Sequence, residues 1–369
     1  MSYFKDNITS EVWGITCLFN PYQCKSRYLN YMYFQSRVRK QGLRLVTVEL
    51  AHCPQHLMLN KRDSDILITA IDNSELWQKE SLLNLGLSRV PNSASVVCWL
   101  DADIIFFEDN WIENLKNNIL KYPVVHLFRE MVYLSKTETK KIVSDFKIVR
   151  KGSSSSGYKI KYENKTPNIS SLKKIMGSVA IFHETPKGKF INGKWGFGWA
   201  IRKDIIDRVG GFYNRCVVGG GDTVFFNGVF WNDLHDKFKD RYSVSQREDI
   251  DRWVGELQNE IMISKKKSFY HSKANAGYLN GTIGHLWHGS FKSRNYFDRY
   301  QILLDGDFNP YLDLTLSQGC LQWNQCDKGI KATMIRGVAN YLKNRAYDKD
   351  SVEYDKSMES VVKSLQSIN

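Results

Sequence analysis

Apolar runs that alternate with helical stretches constrain this chain more than any other feature. "VWGITCLFNP" (12–21), "LRLVTVELA" (43–51) and "ASVVCWLDADIIFF" (94–107) each carry the residues of a buried strand. Between them, "SRYLNYMYFQSRVRKQG" (26–42) has apolar residues at helical spacing and closes on Gly42, and "ELWQKESLLNLGLSRVP" (75–91) reads as a helix ended by Pro91. Such alternation implies an α/β fold, a mostly parallel central sheet flanked by helices. Sheets of this kind bind ligands at the carboxyl ends of their strands. Asn20, Glu49 and Asp101 all fall at or near such ends.

The third run holds the most telling pair of residues. In extended backbone, residues i and i+2 point to one side, so Asp101 and Asp103 are expected to offer oxygens to one place. Two adjacent carboxylates repel unless a proton or a cation lies between them. A hard divalent ion such as Mn2+ or Mg2+ suits oxygen ligands and bridges to phosphates. A pair of solvated turn aspartates is the plainer reading, but the flanks "VVCWL" and "IIFF" both favour burial.

Further along, residues 136–174 are rich in Lys and Ser and poor in large apolar residues. They read as a surface insertion, and also as a basic loop able to track a phosphate backbone. A strand is expected at 177–184. In "WGFGWAIRKDIIDRVGGFYNRCVVGGGDTVFFNGVF" (195–230), a helix is expected over 199–209, ended by Gly210 and Gly211. From about 311 the chain turns more polar. The expected organisation is a main domain over 10–310 carrying the insertion, then a partly helical extension over 311–369.

With 369 residues, of which 42% are hydrophobic, the chain has ample material for a large core. No run approaches the roughly 20 apolar residues of a membrane span, and the start lacks a signal-peptide pattern. A cytoplasmic protein is expected, with no obligate protein partner. Seven cysteines, an odd number with no C-x-x-C, read as buried thiols rather than a disulfide framework. A net charge of +13 favours a polyanionic partner, either nucleic acid or an anionic membrane, and also suits a diphosphate substrate.

Three more clusters carry possible chemistry. In "HLWHG" (285–289), His285 and His288 stand at a spacing that suits two imidazoles on one transition metal. A structural pair is the alternative; His288, beside Gly289, is the better candidate for a direct ligand. In "GGGD" (219–222), the glycines let backbone approach a ligand and leave Asp222 as a candidate general base. Trp195, Phe197 and Trp199 of "WGFGW" offer flat rings for the C–H faces of a sugar, with core packing equally open for Trp199. In "LWQKE", Lys79 can neutralise a phosphate or bond a sugar hydroxyl, or form an exposed helical ion pair with Glu80.

Taken together, D-x-D, the glycine- and Trp-rich segment before Asp222 and the late histidines resemble the GT-A (nucleotide-diphospho-sugar transferase) superfamily. The wider pattern, from "NPYQCKSRYLNYMYF" through "CWLDADIIFF" and "GGGD" to "HLWHG" and "DRYQILL", is similar to glycosyltransferases of phages, large viruses and bacteria. Some of these are related to the base J-type DNA glucosyltransferases. The resemblance implies a UDP-sugar donor, with glucose the foremost sugar, and a Mn2+ or Mg2+ cofactor. It implies metal contacts from Asp101, Asp103, His288 and His285, and donor contacts from Asn20, Glu49, Lys79, Asp101, Trp195 and Phe197. Asp222 becomes the catalytic base of an inverting transfer. The acceptor it suggests is a hydroxymethyl-pyrimidine in DNA, with a surface polysaccharide, lipid or protein as the alternative.

Overall fold

Val12–Phe19 (β1) runs into Lys25–Lys40 (α1), then Arg44–Ala51 (β2), Ile66–Ile71 (β3), Lys79–Leu87 (α2) and Val96–Leu100 (β4). This is the alternating order expected from the sequence. The structure is a computed structural model and describes residues 11–144, 147–151, 159–163, 175–177, 193–267, 274–290, 295, 298–324, 329–346 and 349–366. After β4 come Ile104–Phe106 (β5), Trp111–Ile119 (α3), Val124–His126 (β6), Glu130–Tyr133 (β7), Lys136–Ser144 (α4), Lys147–Lys151 (β8), Lys159–Glu163 (β9) and Ile175–Gly177 (β10). The second half contributes Gly198–Arg202 (β11), Lys203–Arg208 (α5), Gly221–Phe230 (α6), Asp236–Lys239 (α7), Val244–Lys267 (α8), Ala276–Tyr278 (β12) and Thr282–His285 (β13). Gln301–Asp305 (α9), the hairpin Leu314–Ser317 (β14) and Cys320–Trp323 (β15), and the helices Gly329–Ala346 (α10), Lys349–Ser357 (α11) and Glu359–Gln366 (α12) close the chain.

The main sheet has the order β12-β6-β11-β4-β1-β2-β3. Its pairs are parallel except where β11 runs antiparallel between β4 and β6. A second sheet, β10-β7-β13-β5, stands beside it. Strand β4 shows why the main sheet is buried on both faces. Val97 and Trp99 enter one hydrophobic core, and Val96, Cys98 and Leu100 enter the other. The α/β architecture with a mostly parallel sheet and flanking helices is the one the sequence called for.

The apolar run at 94–107, expected as one strand, is two. β4 belongs to the main sheet and β5 to the second, with Asp101-Ala102-Asp103 as the turn between them. The physical reason is the carboxylates. A buried unpaired carboxylate is far costlier than a strand residue's packing is worth. The chain therefore bends there, Ala102 stays packed against a core, and both aspartates stay partly exposed.

Residues 199–209 are also not one helix. β11 occupies Gly198–Arg202 and α5 only Lys203–Arg208. Trp199, Ala200 and Ile201 are all buried because strands cover them on both edges, an environment that local spacing does not reveal. Helix α2 is shorter than its expected 75–91. The expected strand at 177–184 lies outside the described residues except for Gly177, which ends β10. Much of the basic stretch 136–174 also lies outside them.

The C-terminal segment packs on elements from the first part of the chain. Gln78 exchanges two hydrogen bonds with the backbone of Leu321, at 2.7 and 2.9 Å. Asp355 of α11 accepts the backbone N–H groups of Lys25 and Ser26, which begin α1, at 2.7 and 2.8 Å. Among the described residues no helix is long and apolar enough to cross a membrane, and six cysteines are free.

Candidate active site

At the carboxyl ends of β1 and β4 a cavity of about 520 Å³ opens, with Phe19 and Leu100 in its wall. Asp101, Asp103, Lys79, Trp195, Phe197, Asp222, His285 and His288 all line it. Side chains more than 200 residues apart in sequence thus share one space.

Among the described residues, three build the metal-type corner. Asp103 leaves the β4–β5 turn, His285 ends β13, and His288 lies in the coil after it. Leu286 N–H donates to the Asp103 carbonyl at 2.8 Å, pinning the end of β13 to the turn. His288 Nε2 lies 3.1 Å from Asp103 Oδ2, and His285 Nε2 lies 3.6 Å from Asp103 Oδ1. One ligand atom from each of the three lies within 4.8 Å of the others. Asp101 is outside this cluster. The turn sends the two aspartates different ways, contrary to the extended geometry expected for D-x-D.

Asp101 instead meets Lys79. Lys79 Nζ is 2.6 Å from Asp101 Oδ1 and 3.2 Å from Asp222 Oδ1, so one ammonium bridges two carboxylates. Burial works against its charge, yet Asp101 and Asp222 hold the Lys79 ammonium well above the ordinary lysine range. Burial pushes the Asp222 carboxyl up, and Lys79 opposes that shift. Asp222 is in the first turn of α6, where the helix dipole favours a negative charge.

The glycines before Asp222 have specific causes. Gly220 caps α6 at φ 111°, and a Cβ there would lie 2.4 Å from the Tyr300 hydroxyl. A Cβ on Gly221 would lie 2.2 Å from Glu80 Oε1. Glu80 is buried beneath this turn. Burial raises its carboxyl to about 7, although Lys79 pulls the other way. The exposed Lys79–Glu80 ion pair is thus not what forms: both side chains point inward.

The "WGFGW" segment closes the cavity from the other side. Asp101 N–H donates to the Phe197 carbonyl at 2.9 Å. Phe197 has φ 80°, a strained backbone for a non-glycine residue, and its ring meets the His285 ring edge-on at 5.2 Å. Trp199 Nε1 donates to the Trp195 carbonyl at 2.8 Å. His126 Nε2 lies 3.0 Å from the Gly196 carbonyl; burial lowers this imidazole to about 3, so it stays neutral and donates. Trp199 is buried in the core, whereas Trp195 and Phe197 face the cavity.

Asn20 and Glu49 do not line the cavity. Asn20 accepts from Cys24 N–H at 2.9 Å and donates to its carbonyl at 3.0 Å. Glu49 accepts from the backbone N–H groups of Met58 and Leu59, at 2.6 and 3.1 Å. Both side chains fold back on local backbone, which is why strand-end position alone misplaced them. Burial pushes the Cys17 thiol, at the cavity wall, up to about 12, as suits a structural cysteine.

Several lining residues were not singled out from the sequence: Trp77, Tyr133, Arg241, Arg299, Tyr300 and Arg345. Trp77 is two residues before Lys79, and Arg299 and Tyr300 belong to "DRYQILL". Arg241 and Arg345 carry no local signal.

No protein-family model matches the chain, and no curated protein matches its sequence. Solved structures do. A Drosophila β1,4-galactosyltransferase 7 in complex with manganese, UDP-Gal and xylobiose aligns over 86% of this chain and 96% of its own, at 9% identity and TM-score 0.33. S. aureus TarS 1–349 aligns over 80% of this chain and 79% of its own, at 11% identity and TM-score 0.37. Glucosyl-3-phosphoglycerate synthase from Mycobacterium tuberculosis, with Mn2+, UDP and its product, aligns over 84% of each chain at 8% identity and TM-score 0.35.

Proposed function

We propose that this protein is a metal-dependent glycosyltransferase of the GT-A type, moving a hexose from a UDP-sugar to a hydroxyl acceptor. The observation that carries the reading is the shared cavity. A carboxylate–imidazole cluster and a lysine-bridged carboxylate pair face one space.

The donor set fits a divalent ion. Asp103 would hold it through a carboxylate oxygen, and His285 and His288 through ring nitrogens. This mixed set suits Mn2+ better than Mg2+, which prefers oxygen alone. When bound, the ion supplies Lewis-acid stabilisation of the departing diphosphate. The protein's own residues do the rest. Lys79 sets a fixed positive charge against the donor's phosphate or sugar. Asp101, held by Lys79, presents its second oxygen to a ribose or sugar hydroxyl. Trp195 and Phe197 offer rings to the C–H faces of the hexose. Asp222 accepts the acceptor's hydroxyl proton as that oxygen bonds to the anomeric carbon. The bond from that carbon to the diphosphate oxygen breaks on the opposite side, which inverts the configuration.

Glucose and a hydroxymethyl-pyrimidine of DNA are the donor sugar and acceptor we assign. The support is the sequence resemblance and the +13 net charge. A surface polysaccharide, lipid or protein hydroxyl is the competing acceptor. Incubation with Mn2+, a panel of UDP-hexoses and hydroxymethylated DNA, followed by nucleoside mass spectrometry, tests the assignment. Glucosylated nucleoside is expected, and its absence alongside transfer to another hydroxyl would remove the DNA reading. Asp103→Ala should lower Mn2+-stimulated hydrolysis of the donor by at least about a hundredfold. Equal rates in the two proteins would end the enzyme reading. Retention at the anomeric proton of the product, by NMR, would end inversion.

A further inference from the structure

One wall of the cavity is made of arginines that the reaction above leaves unused. Arg299 is 6% exposed and donates to the Tyr341 hydroxyl at 3.3 Å and the Tyr300 hydroxyl at 3.0 Å. Arg345 donates to the same Tyr341 hydroxyl at 3.4 Å, and its guanidinium lies 4.7 Å from the centre of the Trp77 ring. Arg241 and Arg299 both lie against the Tyr300 ring, at 5.6 and 4.9 Å from its centre. Two tyrosines thus join three guanidiniums into one surface, and all three arginines line the cavity.

This surface is prepared for negative charge. Among the described residues, the cavity lining carries seven lysine or arginine side chains against three aspartates. A cation in the Asp103 corner adds to the excess, and a single diphosphate there does not balance it. Like charges held this close repel unless an anion lies among them. Burial alone would raise the Tyr341 phenol, yet Arg345 and Arg299 hold it below its ordinary value.

The wall's position ties it to the turn that carries Asp222. Arg299 Nη1 lies 3.2 Å from where a Cβ on Gly219 would stand, and Gly219 is three residues before Asp222. Arg299 therefore flanks the residue that receives the acceptor's proton and acts on its carboxyl, while the reading above gives the diphosphate to the Asp103 corner. We propose that the acceptor carries a phosphate group, and that Arg241, Arg299 and Arg345 bind it so that a nearby hydroxyl meets Asp222. The proposal rests on the reading above for the role of Asp222. The shared chemistry is a phosphate ester, whether a monoester on a free acceptor or a diester in a chain.

The test titrates protein saturated with Mn2+ and UDP with glycerol phosphate, a monoester, and with dimethyl phosphate, a diester, read by calorimetry. At least one should bind alongside UDP. Arg241→Gln and Arg345→Gln should each weaken it about tenfold, and Arg241→Lys should recover part of the loss, which separates lost charge from a misfolded wall. Tighter monoester binding identifies a terminal phosphate; tighter diester binding identifies a chain. The proposal is overturned if neither ester binds, if the substitutions leave affinity unchanged, or if UDP expels the ester, since the wall would then belong to the donor. Ester binding to a protein that binds no UDP would leave the wall standing and remove the donor reading instead.

Discussion

The two ends of the cavity are built in opposite ways. At the corner, Asp103, His285 and His288 come from a turn, a strand end and the coil after it, the turn is pinned by a backbone bond from Leu286, and mixed oxygen and nitrogen ligands lie within 4.8 Å. At the wall, Arg241, Arg299 and Arg345 come from a loop, a 3-10 turn and helix α10, and lie against aromatic side chains. The corner has the order a metal's narrow geometry demands. The wall has the long, adaptable side chains that suit an anion of variable shape. Lys79, in the same cavity, bridges the Asp101 and Asp222 carboxylates.

Substitutions at this bridge divide the two ends. The largest effect is expected for Asp222→Asn, which keeps the shape but removes the base. Transfer to acceptor should fall by about 10²–10⁴, while Mn2+–UDP affinity, measured by calorimetry, stays close to wild type. An equal loss of UDP affinity would mean that Asp222 serves the donor end. Lys79→Met should disturb both ends. It leaves two partly buried carboxylates without their ammonium, at a cost of roughly 2 kcal/mol in urea unfolding. It also frees Asp222 to titrate higher. Because the base acts only when ionised, the acid limb of the pH–rate profile should move up in pH. An unmoved limb would separate Lys79 from the base.

The smallest effect on chemistry is expected at Glu80, which lies beneath the turn before Asp222 and does not line the cavity. Its folded carboxyl, near 7, is above the ordinary value of 4.5. The folded state then binds more protons than the unfolded one between those values, so the stability Glu80 contributes is present at acid pH and lost as pH rises from about 4.5 to about 7. Glu80→Gln should therefore melt higher than wild type at pH 8, with the gap closing toward pH 4. Parallel melting curves across that range would show that folding leaves the Glu80 carboxyl at its ordinary value.

The same contrast explains what could be read before the structure. Asp103, His285 and His288 lie in short motifs whose residue types already suit a metal, so the corner was visible. The wall was not, because an isolated arginine in a helix looks like any solvated cation until α10 is seen to pack beside Trp77. Strands β1 and β2 and helix α1 kept their expected places, since each declares itself by local spacing. The break between β4 and β5 did not, because an apolar run reads alike whether it stays in one sheet or crosses to another. Asn20 and Glu49 misled for a related reason. Their position along the strands was right, but nearby amide hydrogens and a carbonyl had already engaged their polar atoms.

Asp355 sets a schedule for the newborn chain. The opening amides of α1 find their acceptor in a residue 330 positions further on, so the helix must wait for that length of chain to emerge before its first turn is secured. Until then that end of α1 has only water to bond, and a ribosome that stalls late would release a protein whose first helix is still frayed.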